Sequence, residues 1–250
     1  MNSLEEKREL EKRFWKNDPE ERPGVESLIN LINKFGQVNV LTKVLQDVSS
    51  YELFNGSARD VLEIGGGQGW ASCVIKKLNP NLKIVSSDLS GDATASQVLW
   101  QRVFGVQLEE SVSCPSDSLP CADNSIDVIF TFAAAHHFIT HEATICECAR
   151  VLRPGGRLVY FYEPVTPKFW YSLAKWRVNR KRPIVPEDLL IPKELRSYAE
   201  KYGLSFDLQY FPDPVGRGLV EKLYYSIQRV FPILCRLFPS TATVVMSKPS

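Results

Sequence analysis

The sequence predicts an α/β domain built on a doubly wound, mostly parallel sheet, and three observations carry that expectation. Short apolar runs around Val61–Ile64, Leu82–Ser87, Ile126–Phe132 and Leu158–Tyr162 lack the alternation of a half-solvated strand and read as strands covered on both faces. Segments with helical spacing separate them. The first run passes straight into the turn Gly65-Gly66-Gly67-Gln68-Gly69, which puts a ligand loop at a strand's carboxyl end. A chain of 250 residues suffices for one such domain with additions.

Composition narrows the classes. Lys and Arg number 30 against 29 Asp and Glu, so no global field recruits nucleic acid. The six cysteines (73, 114, 121, 146, 148 and 235) lack paired C-x-x-C spacing and read as small buried hydrophobes in a reducing, cytoplasmic setting. The charged start Glu5-Glu6-Lys7-Arg8-Glu9 does not resemble a signal peptide. No metal site is expected, because only His141 lies near the pair His136-His137.

Taken in order, Leu4–Trp15 reads as an exposed, weakly packed helix with dense mixed charge. Asn17–Gly24 is a turn-rich break with two prolines, and helices are expected at Val25–Phe35 and Val38–Phe54. Residues 1–56 are thus a helical cap, either padding or a cover for the ligand edge. The core follows over 57–164. A helix should run from Trp70 to Leu78 after the glycine turn. A dinucleotide fingerprint, G-x-G-x-x-G, would need glycine at position 70, where Trp stands. Glu63, two residues before the first glycine, favours a cationic ligand over a pyrophosphate. Both features disfavour a nicotinamide oxidoreductase.

Asp88 ends the second strand. It either accepts hydrogen bonds from ligand hydroxyls or caps the next helix, Thr94–Phe104. A short strand ends near Cys114. Ile126–Phe132 then delivers Ala133-Ala-Ala-His-His-Phe138 to the ligand edge, where His136 or His137 is a candidate base, with loop support as the competing role. Glu142–Val151 is a helix stopped at Pro154-Gly-Gly156. The fifth strand, Leu158–Tyr162, places Glu163 at the same edge, as a second acid/base, a substrate anchor or an exposed turn residue before Pro164.

Residues 165–250 continue the same domain, with insertions at about 165–190 and 212–239. Lys168–Arg182 sets Phe169, Leu173 and Trp176 at helical spacing beside a basic run, suited to a solvated face or an anionic surface. Ile191–Tyr202 is a helix and Ser205–Phe211 a strand. Leu219–Phe238 is amphipathic, with Val220, Leu223, Ile227, Val230, Leu234 and Leu237 on one face; three cations, Glu221 and Pro232 exclude a membrane span. Thr241–Met246 is a final β-branched strand. The two insertions are expected to pack together over the carboxyl edge of the sheet and wall a hydrophobic pocket, with peripheral membrane contact as the other use of their faces.

Glu63-Ile-Gly-Gly-Gly-Gln-Gly69 fits the form E/D-x-G-x-G-x-G, and with Val85-Ser-Ser-Asp88, Pro115–Ile129 and Glu147–Leu158 the chain resembles the class I S-adenosylmethionine-dependent methyltransferases over residues 58–163. The resemblance implies a Rossmann-like, seven-stranded sheet with an antiparallel last strand. It implies S-adenosyl-L-methionine as cofactor, S-adenosyl-L-homocysteine as product, and a small-molecule, possibly lipid-like acceptor. It assigns the cofactor to Glu63, Gly65, Gly66, Gly67 and Gly69, to Asp88 at the ribose, to Leu89, to Asp117 at the adenine amino group with Ser116 or Ser118 assisting, and to Phe132. The Asn/Asp-Pro-Pro-aromatic motif of nucleic-acid amino methyltransferases is missing after Phe132, which argues against a nucleic-acid acceptor. A methyltransferase-like protein that binds cofactor and acts through partner contacts, without turnover, is the alternative.

Overall fold

A computed structural model describes residues 4–17, 28–180, 187–215 and 217–250. Most of the Asn17–Gly24 break, the start of the expected Val25–Phe35 helix, Lys181, Arg182 and Gly216 lie outside them.

Three helices precede the sheet: α1 (Leu4–Asn17), α2 (Leu28–Val44) and α3 (Val48–Asn55). The described part of the two expected cap helices is therefore divided differently, with α2 continuous through Gly36 and the break at Leu45–Asp47. Strands and helices then alternate: β1 (Asp60–Ile64), α4 (Trp70–Leu78), β2 (Lys83–Asp88), α5 (Gly91–Phe104), β3 (Glu110–Ser113), β4 (Ile126–Phe132), α6 (His141–Val151) and β5 (Leu152–Val165). After β5 come α7 (Tyr171–Asn179), α8 (Pro192–Lys201), β6 (Ser205–Tyr210), α9 (Leu219–Val230), α10 (Ile233–Leu237) and β7 (Ser240–Ser247).

The seven strands lie in the order β3-β2-β1-β4-β5-β7-β6. β1 to β5 are mutually parallel, and β7 is inserted antiparallel between β5 and β6. The strand order reverses between β1 and β4, and in open α/β sheets that switch point opens a crevice at the carboxyl ends. Both faces of the sheet are covered, which explains the unbroken apolar strands. On one face Val61, Val128, Phe130 and Phe161 pack with Leu53, Phe54, Cys73 and Trp100; on the other Leu62, Ile129, Leu158 and Tyr160 pack with Ile145, Cys148 and Leu195. Phe130 is fully buried and meets Phe54 edge-on at 5.5 Å; truncating such a ring costs about 3–5 kcal/mol.

Candidate functional site

The crevice is a cavity of about 350 Å³ at the ends of β1, β2 and β4, within the range of small-molecule sites. Its floor is the glycine turn. Gly66 donates its N–H to Ser87 O, and Gly69 donates to Gly66 O, both at 2.8 Å. A Cβ on Gly66 would collide with Ser86 Oγ and sit 2.7 Å from the Glu63 carboxylate. Gly69, at φ 71°, opens α4 and lies against Gln97. Gly69 supports the turn from behind, whereas Gly65, Gly66 and Gly67 line the cavity.

Two buried carboxylates hold the turn. Glu63 accepts from Ser72 Oγ at 2.5 Å and Ser86 Oγ at 2.9 Å, and burial pushes its carboxyl up to about 7 against these bonds. Asp88 accepts from Gly67 N–H and Ser90 N–H, each at 2.8 Å. Burial raises it to about 6. Ser90, rather than Asp88, is the residue that caps α5, accepting from Ala93 N–H. Asp88 thus ties the glycine turn to the start of α5. Each of its oxygens accepts a single one of these bonds and keeps acceptor capacity toward the cavity.

Leu89, Asp117 and Phe132 also line the cavity; of the two candidate serines Ser116 does and Ser118 does not. Asp117 is engaged by α1: Arg8 donates to both its oxygens, at 2.8 and 3.0 Å, and Thr140 Oγ1 donates at 2.7 Å. Glu11 of the same helix lies 3.6 Å from His137 Nδ1. Burial alone would lower the His137 pKa, yet its contact with Glu11 raises it above the usual imidazole value. The expectation of an exposed, weakly packed first helix is therefore corrected in part: Leu4–Lys7 and Glu9 are exposed, but α1 closes over the cavity through Arg8 and Glu11. Lys34 and Gln37 of α2 line it too.

Glu163 requires a second correction. It is fully buried and absent from the cavity wall. Its carboxylate accepts from the N–H groups of Ala134 and Ala135 at 2.8 Å and of His136 at 3.2 Å, and contacts His136 Nδ1 at 2.9 Å. Burial would raise its pKa, but the His136 contact and these N–H groups outweigh burial and hold it below the usual carboxylate value. The backbone explains the placement. The β5–β7 register shifts between Tyr160 and Glu163, and Tyr162 sits at φ 57°. That irregularity turns Glu163 beneath the loop instead of onto the edge. It also stacks Tyr162 on Phe132 at 5.9 Å. His136 and His137 both line the cavity, with Glu163 behind the first and Glu11 beside the second.

The second insertion differs most from expectation. It forms two helices, α9 and α10, and the apolar face of α9 points outward: Val220, Leu223, Ile227 and Val230 are exposed while Gln228 is buried. α7 and α9 do lie side by side at the carboxyl edge, with Arg177 4.0 Å from Glu221 and Trp170 5.8 Å from Phe238. Among the described residues, however, neither contributes to the wall of the cavity.

Residues 62–160 match the family model described as a methyltransferase domain. Over 108 residues the chain is 31% identical to a malonyl-[acyl-carrier protein] O-methyltransferase of Hahella chejuensis, covering 42% of this chain and 36% of that protein. Over 105 residues it is 33% identical to a phthiotriol/phenolphthiotriol dimycocerosates methyltransferase of Mycobacterium ulcerans, covering 42% and 37%. The chain thus spans little more than a third of these curated relatives. The solved structure of geranyl diphosphate C-methyltransferase from Streptomyces coelicolor has a TM-score of 0.67 at 13% identity, covering 97% of this chain and 98% of that one. The chain carries a domain of the class I S-adenosylmethionine-dependent methyltransferases.

The cofactor of that class fits the residues present. Gly66 packs so closely on Ser86 and Glu63 that no Cβ fits there, and Gly65, Gly66 and Gly67 bring bare backbone to the cavity wall. Glu63, Asp88 and Asp117 supply acceptors and negative charge for a ligand that carries a sulfonium, an ammonium and ribose hydroxyls. Phe132, Leu89 and Phe138 supply apolar wall.

Proposed function

We propose that this protein transfers a methyl group from S-adenosyl-L-methionine to a small, hydrophobic or lipid-like acceptor, with His136 as general base. The observation that carries the reading is His136 on the wall of the glycine-loop cavity with buried Glu163 behind its ring. Glu163, held as a carboxylate, favours the tautomer with the proton on Nδ1, which leaves Nε2 as the basic nitrogen. Three N–H bonds to the same carboxylate fix the loop, so the ring is held in place before an acceptor arrives.

The bound cofactor supplies an activated methyl on sulfur. His136 Nε2 would face the acceptor and take up its proton as the acceptor is methylated. Gly65–Gly67, Glu63, Asp88 and Leu89 would hold the cofactor, Phe132 would pack beside it, and α1 would exclude water. Asp117 would serve the adenine amino group once Arg8 shares or yields its oxygens. The name of one relative, a phthiotriol/phenolphthiotriol dimycocerosates methyltransferase, supports an acceptor of this class.

The test is methyl transfer from tritiated cofactor to a panel of acyl carboxylates, phenols and long-chain alcohols, with His136→Ala alongside. Label in an extractable hydrophobic product that His136→Ala fails to form supports the reading. Binding of cofactor with no label transfer to any class would favour a non-catalytic role.

A further inference from the structure

α9 is an amphipathic helix mounted with its polar side inward. Its inner side is anchored by hydrogen bonds: Tyr224 Oη and Gln228 Nε2 donate to Pro239 O, and Ser240 Oγ donates to Gln228 Oε1. Arg217 packs over the Tyr225 ring at 4.1 Å. The outer side presents Leu219 at 84% exposure, Val220 at 77% and Val230 at 69%, and Phe231 and Ile233 extend it onto α10. Beside α9, Phe169 in the turn that leads into α7 (72% exposed) and Leu173 and Trp176 of α7 form a second outward set at spacing i, i+4, i+7. Isolated exposed apolar side chains are ordinary on a soluble protein, but contiguous rows on adjacent helices mark an interaction face.

Charge identifies the occupant. Residues 168–180 and 219–238 together contain seven Lys and Arg and one acid, Glu221, although the whole chain carries 30 against 29. Lys168, Lys175 and Arg177 lie beside Glu194, Asp188 and Glu221 respectively. Arg180, Lys222, Arg229 and Arg236 are exposed, with Arg180 placed over the Trp176 ring at 5.6 Å. A face of exposed aliphatic and aromatic groups interspersed with cations matches the boundary of an anionic bilayer, where apolar side chains enter the acyl region and cations meet the headgroups. Among the described residues no helix is long and apolar enough to cross a membrane.

We infer that α7, α9 and α10 form a docking face for an anionic lipid surface, on which the protein lies peripherally. The face sits at the same sheet edge as the cavity. Arg217, at the approach to α9, donates to Tyr162 Oη, and Tyr162 stacks on Phe132 of the cavity wall. A lipid-borne acceptor would therefore reach the cavity from the docked side. The docking itself does not depend on methyl transfer and is measured without cofactor.

The test is vesicle flotation of the full chain with phosphatidylcholine alone and with an equimolar phosphatidylcholine–phosphatidylglycerol mixture. Binding to the anionic vesicles only is expected, with loss in concentrated salt, where screening shortens to about 3 Å at 1 M. Leu223→Glu with Val230→Glu should reduce the bound fraction by about tenfold or more, and Arg229→Glu with Arg236→Glu by a similar factor. These side chains are exposed, so melting temperature and circular dichroism should not change. No flotation, equal flotation on both vesicle types, or flotation unaffected by either double variant would overturn the inference. A dimer in light scattering that Leu223→Glu dissociates, without vesicle binding, would instead assign the face to self-association.

Discussion

Two regions share the carboxyl edge of one sheet and distribute polarity in opposite ways. Around the β1–β4 switch point the chain buries charge: Glu63, Asp88 and Glu163 lie under a glycine turn and a histidine loop, each held by N–H or hydroxyl donors. Around α7 and α9 it exposes apolar surface and buries Gln228. Burying a carboxylate costs several kcal/mol unless it is paired or hydrogen-bonded, and exposing apolar rows forgoes roughly 25 cal/mol per Å². Neither arrangement is what stability alone would select. The first prepares a site for a cationic ligand, and the second leaves a face for a partner.

The comparison can be broken most severely at His136. His136→Ala should lower kcat by about 10²- to 10⁴-fold while leaving cofactor affinity nearly unchanged. Glu163→Gln should lower kcat less and likewise leave cofactor affinity nearly unchanged, because it acts through the ring. Equal losses in kcat and cofactor affinity would reduce both residues to loop supports.

Asp88→Ala comes next, with an expected loss of about 1.5–3 kcal/mol in cofactor binding if ribose hydroxyls meet its free acceptor positions. Calorimetry checks it, and unchanged affinity in a folded variant would restrict Asp88 to tying Gly67 to Ser90. The same titrations across pH test the buried charge. In the ligand-free fold, burial holds Glu63 protonated up to about 7 and Asp88 up to about 6. Both lie above the ordinary 4.5 and 3.8. The free protein should therefore lose stability as pH rises through this window, since the native state binds more protons than the unfolded chain. A cationic ligand favours the ionised forms, so its affinity should rise with pH over the same range and level off above it. An affinity independent of pH would show that neither carboxyl responds to the ligand.

The smallest effect expected is at α1. Arg8→Ala removes a partly exposed contact with Asp117, and about 1 kcal/mol or less of stability should be lost, read as faster hydrogen exchange over residues 4–17. The Glu11–His137 contact has the opposite pH sense from the carboxylates. With the His137 pKa raised above 6.5 in the fold, its stabilisation is present in full below that value and fades as pH rises through the raised one. Exchange in α1 that slowed with pH, after correction for the intrinsic rate, would contradict this.

The two regions also differed in how far they could be read from sequence. From Asp60 to Phe132 the signals are local: buried strands show as apolar runs, the turn as glycines, and the limits of β4 and α4 agree with the expected residues. The orientation of α9 could not be read, because helical periodicity identifies an apolar face but not the direction in which it points. Glu163 was displaced by the irregularity at Tyr162, which no residue type announces. Arg8 and Glu11 sit in a helix dense with charges that all suit solvent, so only their tertiary partners, Asp117 and His137, distinguish them from the rest.

The most direct measurement of the central claim is calorimetric titration of the purified chain with S-adenosyl-L-methionine, S-adenosyl-L-homocysteine and NADH. Saturable binding of the first two at one shared site, weakened by Asp88→Ala, is expected, with no heat from the third. Binding of NADH with none for either sulfur ligand at millimolar concentration would contradict it.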